Sequence, residues 1–359
     1  TGRTISRFGI GSGQHGLHVA GTSAGAGILT DTLAGYAPRS VMIIQNTSNI
    51  IDNSAAYVQD FGMVITNNSY GAIIGDCGYN GMYDLYSRIV DQQIIDLPNL
   101  THVFAAGNSG LVTCSPFPSG FKTVLGSYQS TKNALIVGAV TNTGLIADFS
   151  SKGPVIDGRI KPEIVTQGAN VVSAGFGSYW SNNGTSMACP GATGGMALLY
   201  QRYRQLNGGS NPKNGLMKNI ICNTAMDRGN DGPDYSYGFG WMNVSRALEM
   251  MESNRYLNST IANAATNNHS ISIPANTAQL KVMLYWNDPA ASAVASKILV
   301  NDLDLEVINT VNATILPRVL DTIPANVNNV AGNGADHINN IEQVTINNPA
   351  AGNYTVRIK

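Results

Sequence analysis

Charged side chains are scarce in this sequence of 359 residues. Asp, Glu, Lys and Arg make up 12% of it, about half of the roughly 25% that is usual in globular proteins. The formal net charge is -1, and the Lys and Arg residues stand singly instead of forming a basic stripe. Because a surface that binds nucleic acid neutralises phosphates with clustered cations, the sequence argues against nucleic acid as a partner.

Long apolar runs are also missing. The sequence contains no stretch of about 18 consecutive apolar residues, so it predicts no membrane-spanning helix. It does not open with the charged and then apolar segment of a secretory leader, and we expect any signal or pro-segment to lie outside it. The length exceeds what one compact domain usually holds, which favours two domains.

Cysteines are few and show no Cys-x-x-Cys pair, which disfavours a structural zinc site. Cys77 and Cys114 both lie in loop-like stretches that follow apolar segments. A disulfide between them is a hypothesis that the sequence leaves open. Cys189 and Cys222 fall in helix-like segments, where we expect buried free thiols.

From residue 41 onward, short apolar segments alternate with helix-like stretches. The apolar segments include VMIIQ, MVITNNSYG, THVFAAGNSG and ALIVGAV, and they lack a strict alternation of apolar and polar residues. This pattern is typical of parallel strands that are covered on both faces. We therefore predict a doubly wound α/β domain over residues 1–251, with its site at the carboxyl ends of the strands.

The character of the sequence changes beyond this domain. Residues 252–268 are polar and rich in Asn, and we interpret them as a linker. Residues 269–359 contain short segments in which apolar and polar residues alternate between turn-like stretches. They predict an all-β domain, either a β-sandwich or a jelly roll.

Three segments combine residues that suit nucleophilic catalysis. They are GQHGLHVAGT at 13–22, AAGNSG at 105–110 and NGTSMACP at 183–190. A serine is a weak nucleophile unless a base accepts its proton, and a tetrahedral oxyanion needs donors that already point at it. His15 can serve as the base, Ser186 as the nucleophile, and the Asn108 amide with the Ser186 N–H as the oxyanion donors.

Together, and in this chain order, the three segments resemble those around the catalytic His, the oxyanion Asn and the catalytic Ser of the subtilases, the subtilisin-like serine proteases. The resemblance extends to FSSKGP at 149–154 and to GFGW at 238–241. It implies a serine endopeptidase with a Ser-His-Asp acyl-enzyme mechanism, acting on proteins or peptides. With the low-charge surface, it also implies secretion to an extracellular or periplasmic location.

The triad aspartate does not fit this pattern. In the family it precedes the histidine, but here only fourteen residues precede His15, and Asp31 and Asp52 follow it. We expect the aspartate upstream of Thr1, in a pro-segment or an N-terminal fragment. The alternatives are a catalytically silent peptide-binding relative or an inactive fragment, and a transpeptidase would use the same residues.

The same resemblance implies a substrate-binding edge, to which a peptide adds as a further β-strand. A second segment completes an uncharged and fairly open S1 pocket, for which we predict apolar or aromatic residues at P1, the position before the scissile bond. The residues concerned are Ser69, Tyr70, Gly71, Ala105, Ala106 and Gly107.

The all-β region resembles the domain appended in the oxidatively stable alkaline protease branch, through LVNDLDL at 299–305 and NNIE at 339–342. Asp302 and Asp304 alternate along a predicted strand, so both carboxylates would face one side. The resemblance implies a structural calcium site with oxygen ligands, although Asp and Asn also occupy turns without any metal. The candidate ligands are Asp302, Asp304, Asp336, Asn340 and Glu342.

Overall fold

The structure is a computed structural model that describes residues 2–6, 13–47, 50–71 and 76–359. A parallel sheet of four strands forms the centre of the larger domain. In spatial order its strands are β3 (Ile65–Asn68), β4 (Thr101–Ala105), β5 (Leu135–Val140) and β6 (Ile164–Gln167). Every residue of β4 and β5 is buried, which explains their unbroken apolar sequences. The predicted α/β domain is confirmed.

Helices cover both faces of this sheet. Alternate residues of β4 point to opposite faces, so that Val103 packs in one apolar cluster and Phe104 in another. The helices are α1 (Gln14–Ala24), α2 (Ile50–Phe61), α3 (Leu85–Asp96), α4 (Thr185–Leu206), α5 (Asn214–Thr224) and α6 (Val244–Glu252). The first cluster includes residues of α4 and α5, and the second includes residues of α2 and α3.

Two small sheets accompany the central one. β1 (Thr4–Ile5) and β2 (Met42–Ile43) form a separate parallel pair, so the predicted strand VMIIQ does not join the central sheet. Within the described part of the chain, β3 pairs only with β4. β7 (Val171–Ala174) and β8 (Tyr179–Asn182) form an antiparallel hairpin that leads into α4.

The C-terminal region is all-β and antiparallel, as predicted. One sheet has the order β12-β11-β16-β9, and β10 pairs with β15 in another. Apolar side chains of both sheets meet in one cluster around Val307, Val344 and Val356. The strands are β9 (Asn267–Ile273), β10 (Gln279–Tyr285), β11 (Leu305–Ile308), β12 (Thr314–Ile315), β13 (Arg318–Val319), β14 (Gly332–Asn333), β15 (Ile341–Asn347) and β16 (Gly352–Ile358).

Two strands of this region begin at other residues than the sequence pattern indicates. β9 begins at Asn267, so the last two residues of the predicted linker already pair with β16. β11 begins only at Leu305, so Asp302 and Asp304 precede the strand and do not alternate along it. The Asp302 carboxylate instead lies 3.2 Å from the Lys297 ammonium and 3.2 Å from the Nδ1 of His337.

Buried polar contacts join the all-β region to the larger domain. Lys132 forms an ion pair with Asp288, and both side chains are fully buried. The Lys132 Nζ also donates to the Ile298 carbonyl at 2.9 Å, and Asp288 accepts from the N–H groups of Val300 and Asn301 at 2.8 and 2.7 Å. Because each charge is hydrogen-bonded as well as paired, the cost of burying it is offset. No helix in the described ranges is both long and apolar enough to cross a membrane.

Candidate active site

Ser186 is the second residue of α4, which begins after Gly184. Gly184 has φ of 152°, a conformation that side chains rarely adopt, and this turn places the helix start beside Asn108. An N–H group in the first turn of a helix has no acceptor within the helix. The Ser186 N–H is therefore available to a ligand, next to the hydroxyl that the sequence analysis assigns as the nucleophile.

Pro190 leaves the backbone carbonyl of Ser186 without its usual helical hydrogen-bond donor. It lies inside α4 and has no N–H, so it cannot donate to the carbonyl of Ser186 four residues earlier. The hydroxyl of Ser69 takes this role and donates to the Ser186 carbonyl at 3.0 Å. In return, the Ser186 Oγ donates to the Ser69 carbonyl at 3.3 Å. This reciprocal pair attaches the end of β3 to the start of α4.

The side-chain amide of Asn108 is held in one orientation by Thr185. The Thr185 N–H and hydroxyl both donate to the Asn108 Oδ1, at 2.9 and 3.0 Å. The Thr185 hydroxyl itself accepts from the Gly107 N–H at 3.2 Å. With Oδ1 occupied, the amide presents its Nδ2 as a donor, and this Nδ2 donates to no described residue. The arrangement suits an oxyanion hole.

His15 lies in the first turn of α1 and is exposed. α1 packs against α4, the helix that carries Ser186. No hydrogen bond joins His15 to Ser186 among the described residues, and the Ser186 Oγ donates to the Ser69 carbonyl. Partial desolvation of the ring, together with the nearby His18, lowers the pKa of His15 below its ordinary value. This shift favours the neutral form, which a general base requires.

No described carboxylate forms a hydrogen bond or ion pair with His15. Asp31 lies in a short 3-10 turn and Asp52 lies in α2. This agrees with the sequence argument that neither serves as the triad aspartate.

His18, one turn after His15, has a packing role. Its Nε2 lies 3.1 Å from the Val171 carbonyl and 3.2 Å from the Trp180 carbonyl. Since both partners only accept, this nitrogen carries the proton. The ring also makes an edge contact with Trp180, with centroids 5.4 Å apart. His18 thus fastens α1 to the β7–β8 hairpin.

The two predicted walls of the substrate groove follow the neighbouring parallel strands β3 and β4. The first wall, residues 69–71, is held by Gln129, whose Nε2 donates to the Tyr70 carbonyl at 2.7 Å. The second wall, residues 105–107, is held by the Gly107 carbonyl, which accepts from the Ser151 N–H at 3.0 Å. Both predicted segments therefore lie at the carboxyl ends of adjacent strands, where ligands bind in folds of this class.

A disulfide joins Cys77 to Cys114, with Cα atoms 5.3 Å apart. It links the loop after β3 to the loop after β4 and Asn108, and confirms the hypothesis drawn from the sequence. Cys189 and Cys222 are buried free thiols, as predicted. Burial raises the pKa of each to about 12, so neither is a reactive thiolate.

The calcium site that the resemblance implies stays a prediction, and several of its candidate ligands form hydrogen bonds within the protein. No group of three His, Cys, Asp or Glu side chains in the described ranges is arranged to hold a metal ion. Asp336 accepts hydrogen bonds from Ile338 and Asn339, and Asn340 donates to the Trp286 carbonyl. The Glu342 Oε2 accepts from the Leu305 N–H at 2.7 Å, while its buried Oε1 has no partner. Burial raises the pKa of Glu342 to about 9, and nearby carboxylates add to this effect.

Sequence reasoning identified the three reacting groups but missed the side chains that hold them. Thr185 lies inside the NGTSMACP segment, and the role of Ser69 in satisfying the Ser186 carbonyl is foreshadowed only by Pro190 four residues after Ser186. Gln129 lies in no motif. These contacts join residues that are 59 to 117 positions apart, so local patterns do not show them.

Comparisons with known proteins find a matching family and several relatives. The family model described as the subtilase family matches residues 9–240. Subtilisin DY of Bacillus licheniformis is 29% identical over 244 residues, which are 66% of this chain and 77% of the relative. Subtilisin E of Bacillus subtilis is 28% identical over 245 residues, 66% of this chain and 56% of the relative. The serine protease/ABC transporter B family protein tagA of Dictyostelium discoideum is 28% identical over 250 residues, and this chain spans only 14% of its length.

Solved structures resemble the fold. The self-cleaved protease domain of PatA has a TM-score of 0.54 and 22% identity, and the match covers 70% of this chain and 89% of that one. The CspB protease of Clostridium perfringens has a TM-score of 0.57 and 16% identity, and the match covers 67% and 81%. At this level of identity, these likenesses show the fold alone.

Proposed function

Because the chain belongs to the subtilase family, we propose that it is a serine endopeptidase that hydrolyses peptide bonds of proteins. The observation that carries this proposal is the junction of three elements at Ser186. The nucleophile lies at a helix start with its own N–H available, and Thr185 turns the Asn108 amide so that Nδ2 can donate beside it.

In the proposed reaction, the Ser186 Oγ leaves its hydrogen bond to Ser69 and attacks the scissile carbonyl while His15 accepts its proton. The oxyanion accepts from the Asn108 Nδ2 and the Ser186 N–H. His15 then protonates the leaving amine, and water repeats the sequence on the acyl-enzyme. The lowered pKa of His15 suits the first step, because an imidazole must be neutral to accept a proton.

We further propose that an additional strand supplies the triad aspartate. Two observations support this: His15 has no carboxylate partner in the described ranges, and β3 pairs with only one neighbour there while β1 and β2 form a sheet apart. In subtilisin, loss of the aspartate alone lowers kcat by about 10⁴-fold. A segment that carries the aspartate would orient the His15 ring and stabilise its protonated form.

Hydrolysis of fluorescently labelled casein tests both proposals. The chain should be far more active when it is expressed with, or mixed with, the segment that carries the aspartate. Ser186→Ala should abolish the activity in either form. If the complete protein cleaves nothing and only binds peptides, it is instead a catalytically silent relative.

Secretion is proposed from the family and from the Cys77–Cys114 disulfide, since such bonds persist in oxidising compartments. Cell fractionation under conditions that trap free thiols would test it. An oxidised protein in the culture medium or periplasm is expected, and a reduced protein in the cytosol would overturn the proposal.

Membership of the branch with an appended β-domain, and the calcium site that it implies, stay predictions. The antiparallel sheets after the linker support the branch, and the buried, unpartnered Oε1 of Glu342 is one oxygen that a cation could use. The absence of a three-ligand group among the described residues speaks against the full set of ligands. A melting temperature that is equal in calcium and in chelator would exclude the site.

A further inference from the structure

Leu125 is a buried leucine that belongs to none of the four apolar clusters formed by the described residues. Its side chain is 4% exposed. It lies against two glycines, one in each wall of the substrate groove. A Cβ atom built on Gly71 would lie 2.4 Å from the Leu125 Cδ1, and one built on Gly107 would lie 2.6 Å from the Leu125 Cγ. The isobutyl group therefore fills the space between the walls.

Because the walls of the groove carry mostly small side chains, the position of Leu125 decides how much space is left for a substrate side chain. Gly71 and Gly107 carry no side chains, Ala105, Ala106 and Ser69 carry small ones, and the Tyr70 ring packs against Phe104 and Tyr128. Walls of this kind have room for a substrate side chain only where no group of the protein lies between them. Here the Leu125 side chain lies against both glycines.

The backbone around Leu125 is held on both sides, so the side chain has little freedom to move away. Its N–H donates to the Ala106 carbonyl at 3.1 Å, and its carbonyl accepts from the Ser130 hydroxyl at 3.3 Å. Gly126 follows at a close backbone approach, where an added Cβ would lie 2.2 Å from the Tyr79 carbonyl. Leu125 is therefore a fixed part of the groove.

We propose that Leu125 determines the P1 specificity, admitting Gly, Ala or Ser and excluding Phe, Tyr or Leu. This inference rests on the proposed function and names its substrate class. It reverses the expectation from the sequence of apolar or aromatic P1 residues, because the slot between the walls is filled by a side chain from a segment 18 residues after Gly107.

Peptide substrates that differ only at P1, with Ala or Phe, test the proposal on the complete protein. The parent protein should cleave the Ala peptide better than the Phe peptide. Leu125→Ala should raise the Phe-to-Ala ratio of kcat/KM by about 10- to 200-fold, the range expected when a few carbon atoms of pocket space change.

Val124→Ala is the matched control. Val124 is the adjacent residue and is also buried. It belongs to the apolar cluster that contains Phe104, Ile136 and residues of α2 and α3, and Leu125 does not. This variant should keep the P1 ratio of the parent. A parent protein that prefers Phe, or an unchanged ratio in Leu125→Ala, would overturn the proposal.

A binding measurement keeps the inference independent of turnover. The same two peptides are titrated against Ser186→Ala, with and without Leu125→Ala. Ser186→Ala alone should bind the Ala peptide more tightly than the Phe peptide. The variant that also carries Leu125→Ala should bind the Phe peptide at least about 10-fold more tightly than Ser186→Ala does. If Ser186 fails to react with a fluorophosphonate, the hydrolase proposal fails, while the two titrations still decide for or against Leu125.

Discussion

At the scale of single residues, the side chains that orient the reacting groups are as informative as the groups themselves. An amide can be turned either way, and only the orientation with Nδ2 toward Ser186 can stabilise an oxyanion. Thr185 selects that orientation with two hydrogen bonds to the Asn108 Oδ1. Thr185 is thus a positioning residue, and its effect should appear in kcat.

Thr185→Val should lower kcat by about 10-fold with little change in KM. The substitution removes one of the two donors to the Asn108 Oδ1 and leaves the Gly107 N–H without its acceptor. The interaction free energy that holds the amide in place should fall by roughly 1–2 kcal/mol. Asn108→Ala, which removes the oxyanion donor itself, should cost about 10²- to 10³-fold in kcat.

Thr185→Ser, which keeps the hydroxyl, is the control and should restore most of the activity in steady-state kinetics. Parent-like kcat in Thr185→Val would show that the amide needs no help from the hydroxyl.

The pH dependence of activity follows from His15. The base must be neutral, so activity is present above the pKa of His15 and is lost as the pH falls through it. Burial and His18 hold this pKa below its ordinary value of about 6.5. Addition of the aspartate should raise the pKa, because a nearby anion favours the protonated ring.

NMR titration of the His15 ring protons, assigned with His15→Ala, would measure this shift. We expect a midpoint below about pH 6.5 for the chain alone and a higher midpoint with the aspartate segment bound. A midpoint that does not move would mean that the segment does not reach His15.

At the scale of elements, two hydrogen bonds join the end of β3 to the start of α4. Pro190 removes a helical donor, and Ser69 replaces it at the Ser186 carbonyl. Helix interiors seldom tolerate proline, and here its effect is to leave an acceptor that only the neighbouring strand satisfies. The nucleophile is thereby tied to the wall of the groove.

Ser69→Ala should destabilise the protein by about 1–3 kcal/mol, because it leaves a half-buried carbonyl without a donor. Pro190→Ala in the same chain should recover part of this loss, since an alanine at that position would supply the missing helical N–H. Chemical denaturation of the two variants and of Pro190→Ala alone would measure the coupling. Strictly additive effects would refute the shared role at the Ser186 carbonyl.

The elements also show where sequence reasoning succeeds and where it stops. β4 and β5 could be predicted because burial on both faces leaves continuous apolar runs. The segment before β11 could not, because Asp302 and Asp304 have the alternation of a strand but lie in a loop where Asp302 pairs with Lys297 and His337. Alternation over so few residues does not distinguish a strand from a loop.

At the scale of the whole molecule, the all-β region is attached by contacts that water does not reach. Lys132 donates across the boundary to the Ile298 carbonyl, and Asp288 accepts from two N–H groups of its own region. Removal of either partner of the ion pair therefore leaves a charge buried in a low-dielectric site. The three reacting residues could be found from motifs, whereas this attachment could not, because its partners are 156 residues apart.

Asp288→Asn should lower the free energy of unfolding by about 3–5 kcal/mol, because Lys132 would remain buried without its counter-charge. Glu249→Gln is the control, since its pair with Arg255 is largely exposed and should change stability by less than about 1 kcal/mol. Urea unfolding followed by fluorescence would compare the two. Equal effects would mean that the buried pair does not stabilise the attachment.

The central claim is that Ser186 is a nucleophile activated by His15. Mass spectrometry of the complete protein after reaction with a fluorophosphonate tests it most directly, because this reagent modifies only activated serines. We expect a single adduct on Ser186, formed with the aspartate segment present and lost in His15→Ala. An unmodified Ser186, or an adduct that forms equally well without His15, would contradict it.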